Sequence, residues 1–231
     1  MIVSVDTLTP TVEDKQQMDN AQQQPRQQTM YPQPLITLSG DTVLLGPPHR
    51  DILPLWARWD NDLALSVLSG DPARPRTREA TEAEYELYSK GTRPDWALFV
   101  IYERSTLRPI GIVELTDINP AHRTALFGIR IGEADCWGKG YGTETTFLVL
   151  DYAFHALGLH NVMLDPFAYN ERAIRSYQKA GFKEIGRRRQ AHRIGQNSYD
   201  IVLMDCLASD FHSPLPPVVQ LLPSSIQGNM P

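Results

Sequence analysis

Cysteine is scarce in this chain: Cys136 and Cys206 are the only two in 231 residues, far apart and outside any CxxC or Cys/His ligand spacing. That excludes a disulfide scaffold and a zinc module, and a reducing, cytoplasmic setting is expected. The six histidines show no metal-binding spacing either, so no metal is expected. Positive charge is short as well. With a formal net charge of -5, no basic field covers the molecule, and no nucleic-acid partner is expected. Long apolar runs are missing too. The most apolar helical stretch is broken by Asp151 and His155, and the N-terminal MIVSVDTLTPTVEDK lacks a charged segment followed by an apolar core. Neither a membrane span nor a signal peptide is expected.

What is present is 42% hydrophobic content, enough for one substantial core with appendages. Residues 1–34 form an arm dominated by Gln with Pro, Asp and Asn (KQQMDNAQQQPRQQTMYPQP), which buries too little apolar surface to offset chain entropy and is expected to be disordered. Residues 211–231 (FHSPLPPVVQLLPSSIQGNMP) are a proline-rich tail, expected to be extended, although Val218, Val219, Leu221 and Leu222 could dock. Residues 35–210 remain as the functional domain, without an internal repeat.

Within it, residues 42–45 read as a short strand, and 50–59 with 63–68 as one or two short helices. TEAEYELYSK (81–90) reads as a helix capped by Thr81, with Glu84 as its capping-box partner. WALFVIYE, PIGIVELTD and TALFGIRI are rich in β-branched and aromatic residues and predict an antiparallel meander. Phe147, Leu150, Phe154 and Leu157 make the stripe of a buried helix ending at Gly158. A strand at 161–165 follows, then a helix capped by Asn170 and stopped at Gly181, and a closing strand pair at 182–185 and 198–206.

The glycines of CWGKGYGTE open the buried helix. Gly138, Gly140 and Gly142 let a ligand approach the backbone, and consecutive N–H groups at a helix head attract an anion, so the stretch reads as a phosphate cradle rather than only a tight corner. A dinucleotide site is the rival, with Asp165 near the right distance to hold a ribose. Thr143 stands at the fingerprint's third glycine, however, and residues 133–137 separate strand from glycines. The antiparallel meander is also wrong for a doubly wound parallel sheet, and no GKS or GKT completes a Walker loop.

Trp137-Gly138-Lys139-Gly140-Tyr141-Gly142-Thr143-Glu144, followed by Asn170-Glu171-Arg172-Ala173-Ile174-Arg175-Ser176-Tyr177 and Gly181-Phe182, resembles the GNAT superfamily of acetyl-CoA-dependent N-acetyltransferases. Within it the chain is most similar to the branch of ribosomal-protein alanine and spermidine acetyltransferases, over about 44–207. The family's loop pattern, Q/R-x-x-G-x-G/A, has Trp137 here in its first place.

The resemblance implies an α/β fold: a mixed, mostly antiparallel sheet with a central V-shaped splay and flanking helices. It implies acetyl-CoA as co-substrate, direct transfer of acetyl to a primary amine (a protein N-terminus, a polyamine or another small amine), and a possible homodimer. By motif position, Trp137, Gly138, Lys139, Gly140, Tyr141, Gly142 and Thr143 would bind the coenzyme pyrophosphate. Ile129 and Ile131 would contact the pantetheine. Asn170 would hydrogen-bond the pantetheine or only cap its helix.

Tyr177 occupies the family's acid position, and a phenol protonated at neutral pH suits a departing thiolate; otherwise it is a core aromatic. A base must take the proton of the substrate ammonium. Glu114 is the candidate, with Asp117 nearby, although Glu114 could simply face solvent. A non-catalytic acyl-CoA-binding sensor or scaffold is the alternative function. Glu79, Glu82, Glu84 and Glu86 read as a solvated helix face, and Arg187–Arg189 with His192 and Arg193 as a solvated turn between the last strands. Cys136 reads as an inert thiol.

Overall fold

Among the described residues, eight strands form: β1 (Leu38–Ser39), β2 (Val43–Gly46), β3 (Ala97–Glu103), β4 (Pro109–Asn119), β5 (Thr124–Ile131), β6 (Asn161–Leu164), β7 (Lys183–Ile194) and β8 (Asn197–Leu207). They pair in one sheet in the order β1-β2-β3-β4-β5-β6-β8-β7. Every pairing is antiparallel except β5 with β6. The computed structural model describes residues 33–69 and 74–218. The chain divides into Met1–Pro32 and Gln33–Pro231, and all described residues belong to the second unit. The expected arm lies outside the described residues except for Gln33 and Pro34, and so does the tail beyond Val218.

Period-two alternation sends alternate strand residues to opposite faces. Val43, Leu45, Phe99, Ile101, Val113 and Leu115 join a core with Leu148, Val149 and Leu150 of helix α4 (Tyr141–Asp151). Leu44, Leu98, Val100, Tyr102 and Ile112 pack instead with Trp56 and Trp59 of helix α1 (Leu53–Asp60) and Leu65 of α2 (Leu63–Ser69). Each fully buried aliphatic side chain contributes about 1.5–3 kcal/mol, so both sides of β2–β4 are anchored. Helix α3 (Arg78–Ser89) rests on the second cluster through Tyr85 and Tyr88, and α5 (Glu171–Lys179) lies on the first through Ile174 and Tyr177.

Several sequence expectations shift. Helix α3 starts three residues earlier than read: Thr77 caps it, its side chain accepting from Ala80 N–H at 3.1 Å, while Thr81 is buried inside the helix. Glu84 pairs with Arg76 and Glu86 with Arg50, so these two carboxylates are neutralised. Strand β7 is far longer than residues 182–185. Arg187–Arg189 lie within it, Arg187 and Arg188 paired to Val202 and Ile201 of β8 and Arg189 in the irregularity that follows, because an outer strand needs an apolar pattern on only one face; the turn comes later, at Gly195.

Helix α4 continues beyond Asp151 as a π turn over Tyr152–Ala156 before Gly158 turns the chain at φ 66°. Phe211, assigned to the tail, is buried against Phe147 and Phe154, and Leu215 and Val218 pack on the same core.

Candidate active site

The parallel pair β5–β6 is the seam from which the site opens. Its register covers only Thr124, Ala125 and Leu126 opposite Asn161, Val162 and Met163. Strand β5 then runs on through Ile131 with β4 alone at its side. Gly132 N–H donates to Ile110 O at 2.8 Å. Hydrogen-bonded residues alternate in an antiparallel ladder, so Arg130 and Gly128 direct their backbone groups to β4, and Phe127, Ile129 and Ile131 direct theirs into the gap. The expected V-shaped splay is thus a row of strand N–H and C=O groups open to an extended ligand.

The glycine loop stands at the mouth of this gap. Gly138 and Gly140 have φ of 77° and 89°, and Gly140 is the N-cap of α4. The helical ladder begins with Glu144 N–H to Gly140 O at 3.0 Å. The N–H groups of Tyr141, Gly142 and Thr143 therefore have no helical acceptor, at the positive end of the helix dipole. This geometry suits an anion. Trp137 fastens the loop: its indole N–H donates to Ile131 O at 2.8 Å, and the Arg172 guanidinium lies 4.5 Å from the centre of its ring. Thr143 Oγ1 and Ser176 Oγ, 2.7 Å apart, tie the loop to α5.

A cavity of about 650 Å³ joins loop and gap. It is lined by Ile129, Ile131, Trp137, Gly138, Gly140, Tyr141, Gly142, Thr143, Asn170, Tyr177 and Glu114, so the structure brings eleven of the twelve expected site residues together. Lys139 is not on this wall; its ammonium lies 5.9 Å from the centre of the Tyr141 ring, whose hydroxyl donates to Glu103 at 2.8 Å. Asn170 does cap α5, accepting from Ala173 N–H at 3.2 Å, and it lines the cavity as well.

Four cavity-wall cations went unassigned in the sequence: Arg130 of β5, which pairs with Asp60, and Arg172, Arg175 and Lys179 of α5. The three- and four-residue spacing of Arg172, Arg175 and Lys179 puts those three on one helix face, the signal that could have found them. A polyphosphate at the loop would meet these charges as well as the amides, so the residues present fit coenzyme A.

Tyr177 is half-buried in the gap, edge-on to Phe127 and Phe182. Burial, and secondarily the Asp165 carboxylate, raise its phenol above the ordinary value, so it stays protonated at neutral pH. Glu114 does not simply face solvent. It sits in the cavity wall and accepts from Trp96 indole N–H at 2.7 Å. Asp117 is exposed, has φ 50°, and is not on the wall. Cys136 touches the cavity but is a buried thiol raised by burial, and burial pushes Cys206 up to about 12, so neither is a ready nucleophile. Just before the Asn170 cap of α5, the Tyr169 hydroxyl donates to the Val67 carbonyl of α2, whose Leu65, Leu68 and Ser69 line the cavity. No group of three or more metal-ligating side chains occurs among the described residues, and no described helix is long and apolar enough to cross a membrane.

An anion cradle that leads into an opened strand edge, with a protonated phenol in the opening, defines a class of enzyme: one that holds a phosphorylated carrier by its arm and transfers the group at its end. The acetyltransferase (GNAT) domain model matches residues 42–183, and the chain belongs to that family. It is an acetyl-CoA-dependent N-acetyltransferase that acts on a primary amine. It is 32% identical over 126 residues to spermidine N(1)-acetyltransferase of Vibrio cholerae, covering 54% of this chain and 72% of that one. A crystal structure of the V. cholerae spermidine N-acetyltransferase in complex with CoA and spermine superposes with a TM-score of 0.66 at 27% identity, covering 74% of this chain and 98% of that one. A dodecameric structure of the V. cholerae enzyme gives 0.61 at 29% identity, covering 74% and 96%. Nothing in these likenesses supports the non-catalytic sensor.

Proposed function

We propose that this acetyltransferase acts on a polyamine, with Tyr177 as general acid and Glu114 as base. The observation that carries this reading is the place of Tyr177: a half-buried, protonated phenol in the gap between β5 and β6, beside the open strand edge where a thioester would lie. The names of the relatives favour a polyamine over a protein N-terminus, and a carboxylate such as Glu114 suits a cationic acceptor.

In the proposed reaction Glu114 removes a proton from the acceptor ammonium, directly or through water. The amine lone pair then forms the C–N bond to the acetyl carbon. A β5 N–H near Ile131 steadies the oxyanion. As the C–S bond breaks, the Tyr177 hydroxyl gives its proton to the sulfur, the surplus proton on the new amide nitrogen returns to the phenolate through water, and Glu114 releases the first proton to solvent. The loop amides from Gly138 to Thr143, with Arg172, Arg175 and Lys179, would hold the coenzyme's phosphates, and its pantetheine arm would pair with Ile129 and Ile131. Direct transfer needs no acyl-cysteine, and buried Cys136 is consistent with that.

The dodecameric neighbour supports an assembly of copies, of which a homodimer is the smallest, and two free buried thiols support a cytoplasmic setting. The test is thiol release from acetyl-CoA with spermidine and with peptides bearing N-terminal alanine. Release with spermidine and little with peptide is expected; preference for the peptide would make a protein N-terminus the acceptor.

A further inference from the structure

Two carboxylates line the cavity, Glu114 on β4 and Asp165 just past the end of β6, and their circumstances differ. Trp96 holds Glu114. Among the described residues, no other residue hydrogen-bonds or ion-pairs with Asp165. Val162 and Leu164 point into the core shared with α4, so alternation turns Met163 and Asp165 to the opposite face. Glu114 projects from that same face: its neighbour Ile112 packs in the cluster under α1–α3, and Trp96 packs there too. Between them runs β5, where Gly128 stands opposite Glu114 and, lacking a side chain, leaves room for the Glu114 side chain to lie over it. The two carboxylates therefore flank the gap on the side away from α4.

We propose that Asp165 is an acceptor-binding residue that holds a second ammonium of a diamine or polyamine, while Glu114 serves the attacking nitrogen. This rests on the polyamine reading above. Ion pairing favours the charged form of an amine, and a charged amine has no lone pair to attack with. A carboxylate gripping the reacting nitrogen would hinder it, whereas one gripping a distant ammonium only positions the chain. The groups acting on Asp165 are the Tyr177 phenol of α5, which is neutral, and the Arg188 guanidinium of β7, which lowers its pKa without closing an ion pair. Desolvation beside the cavity wall is the larger influence and raises the carboxyl, while the residue remains exposed and open to an incoming ammonium.

The test is Asp165→Asn in the full chain, with kinetics on spermidine and on propylamine, and calorimetry with acetyl-CoA. KM for spermidine should rise ~10–100-fold, the range for a lost hydrogen bond to a charged group. The kcat, KM for propylamine and acetyl-CoA affinity should stay near wild type, and Asp165→Glu should recover part of the spermidine KM. An unchanged spermidine KM, or an equal rise for propylamine, overturns the proposal. Should the asparagine variant lose acetyl-CoA binding through misfolding, Asp165→Ser carries the same comparison. A wild-type protein that acetylates no polyamine but accepts another amine removes the underlying reading, and the Asp165 proposal falls with it.

Discussion

The Tyr177 ring meets Phe127 edge-on, with centroids 6.1 Å apart and planes at 83°. This contact links the phenol of α5 to the first residue of β5 beyond its pairing with β6. Tyr177→Phe keeps the ring and removes only the hydroxyl. Turnover should fall about 10²–10⁴-fold, the usual contribution of a general acid, while calorimetry with acetyl-CoA reads a nearly unchanged Kd. Equal loss of binding would mean that the residue only packs.

Gly140 has φ 89° and nothing within 4 Å of where a Cβ would stand. Gly140→Ala therefore meets no clash, and its cost is conformational, about 1–3 kcal/mol of local strain. The loop should relax by turning its amides away from the anion. Weaker acetyl-CoA binding with secondary structure retained by circular dichroism is the expected result.

Asp151 is 4% exposed, accepts from His155 Nδ1 at 2.7 Å, and accepts from Val218 N–H. It ties residues 211–218 to the end of α4. Asp151→Ala should leave that N–H unsatisfied and destabilise the fold by on the order of 2 kcal/mol, a fall of roughly 4–8 °C in Tm for a domain of this size. Calorimetric melting checks this.

Burial raises the Tyr88, Tyr102, Tyr152 and Tyr177 phenols above their ordinary value. In the unfolded chain each loses its proton near pH ~10, so above that pH the unfolded state binds fewer protons than the folded one and stability falls as pH rises. Urea midpoints should decline from about pH 10 upward, and Tyr177→Phe should soften the decline. A flat midpoint across that range would contradict the burial of these rings.

Much of the site was legible because its parts are local. Gly138, Gly140 and Gly142 announce a helix head, Asn170 announces a cap, and Tyr177 lies seven residues further on. Lys139 shows the limit of such reading: it falls inside the motif, yet its side chain lies over Tyr141 and not on the cavity wall. Glu114 looked half solvent-facing because alternation alone cannot tell a solvated face from one that lines a cavity shared with α2. Thr81 scored as a cap by its partner three residues on, but Thr77 stands where the chain is still extended, φ -75° and ψ 157°, and it caps instead.

By itself the sequence determined most element types, the glycine-rich head of α4 and the family, since propensity, capping and glycine conformations act over a few residues. Tertiary structure decided what required distant segments to meet. The gap exists because β5 outruns its pairing with β6, Trp137 locks the loop by reaching the Ile131 carbonyl, and Asp165 shares a cavity with Glu114, 51 positions earlier in the chain. Register, crossover and side-chain direction are properties of the assembled sheet, and no short stretch of residues encodes them alone.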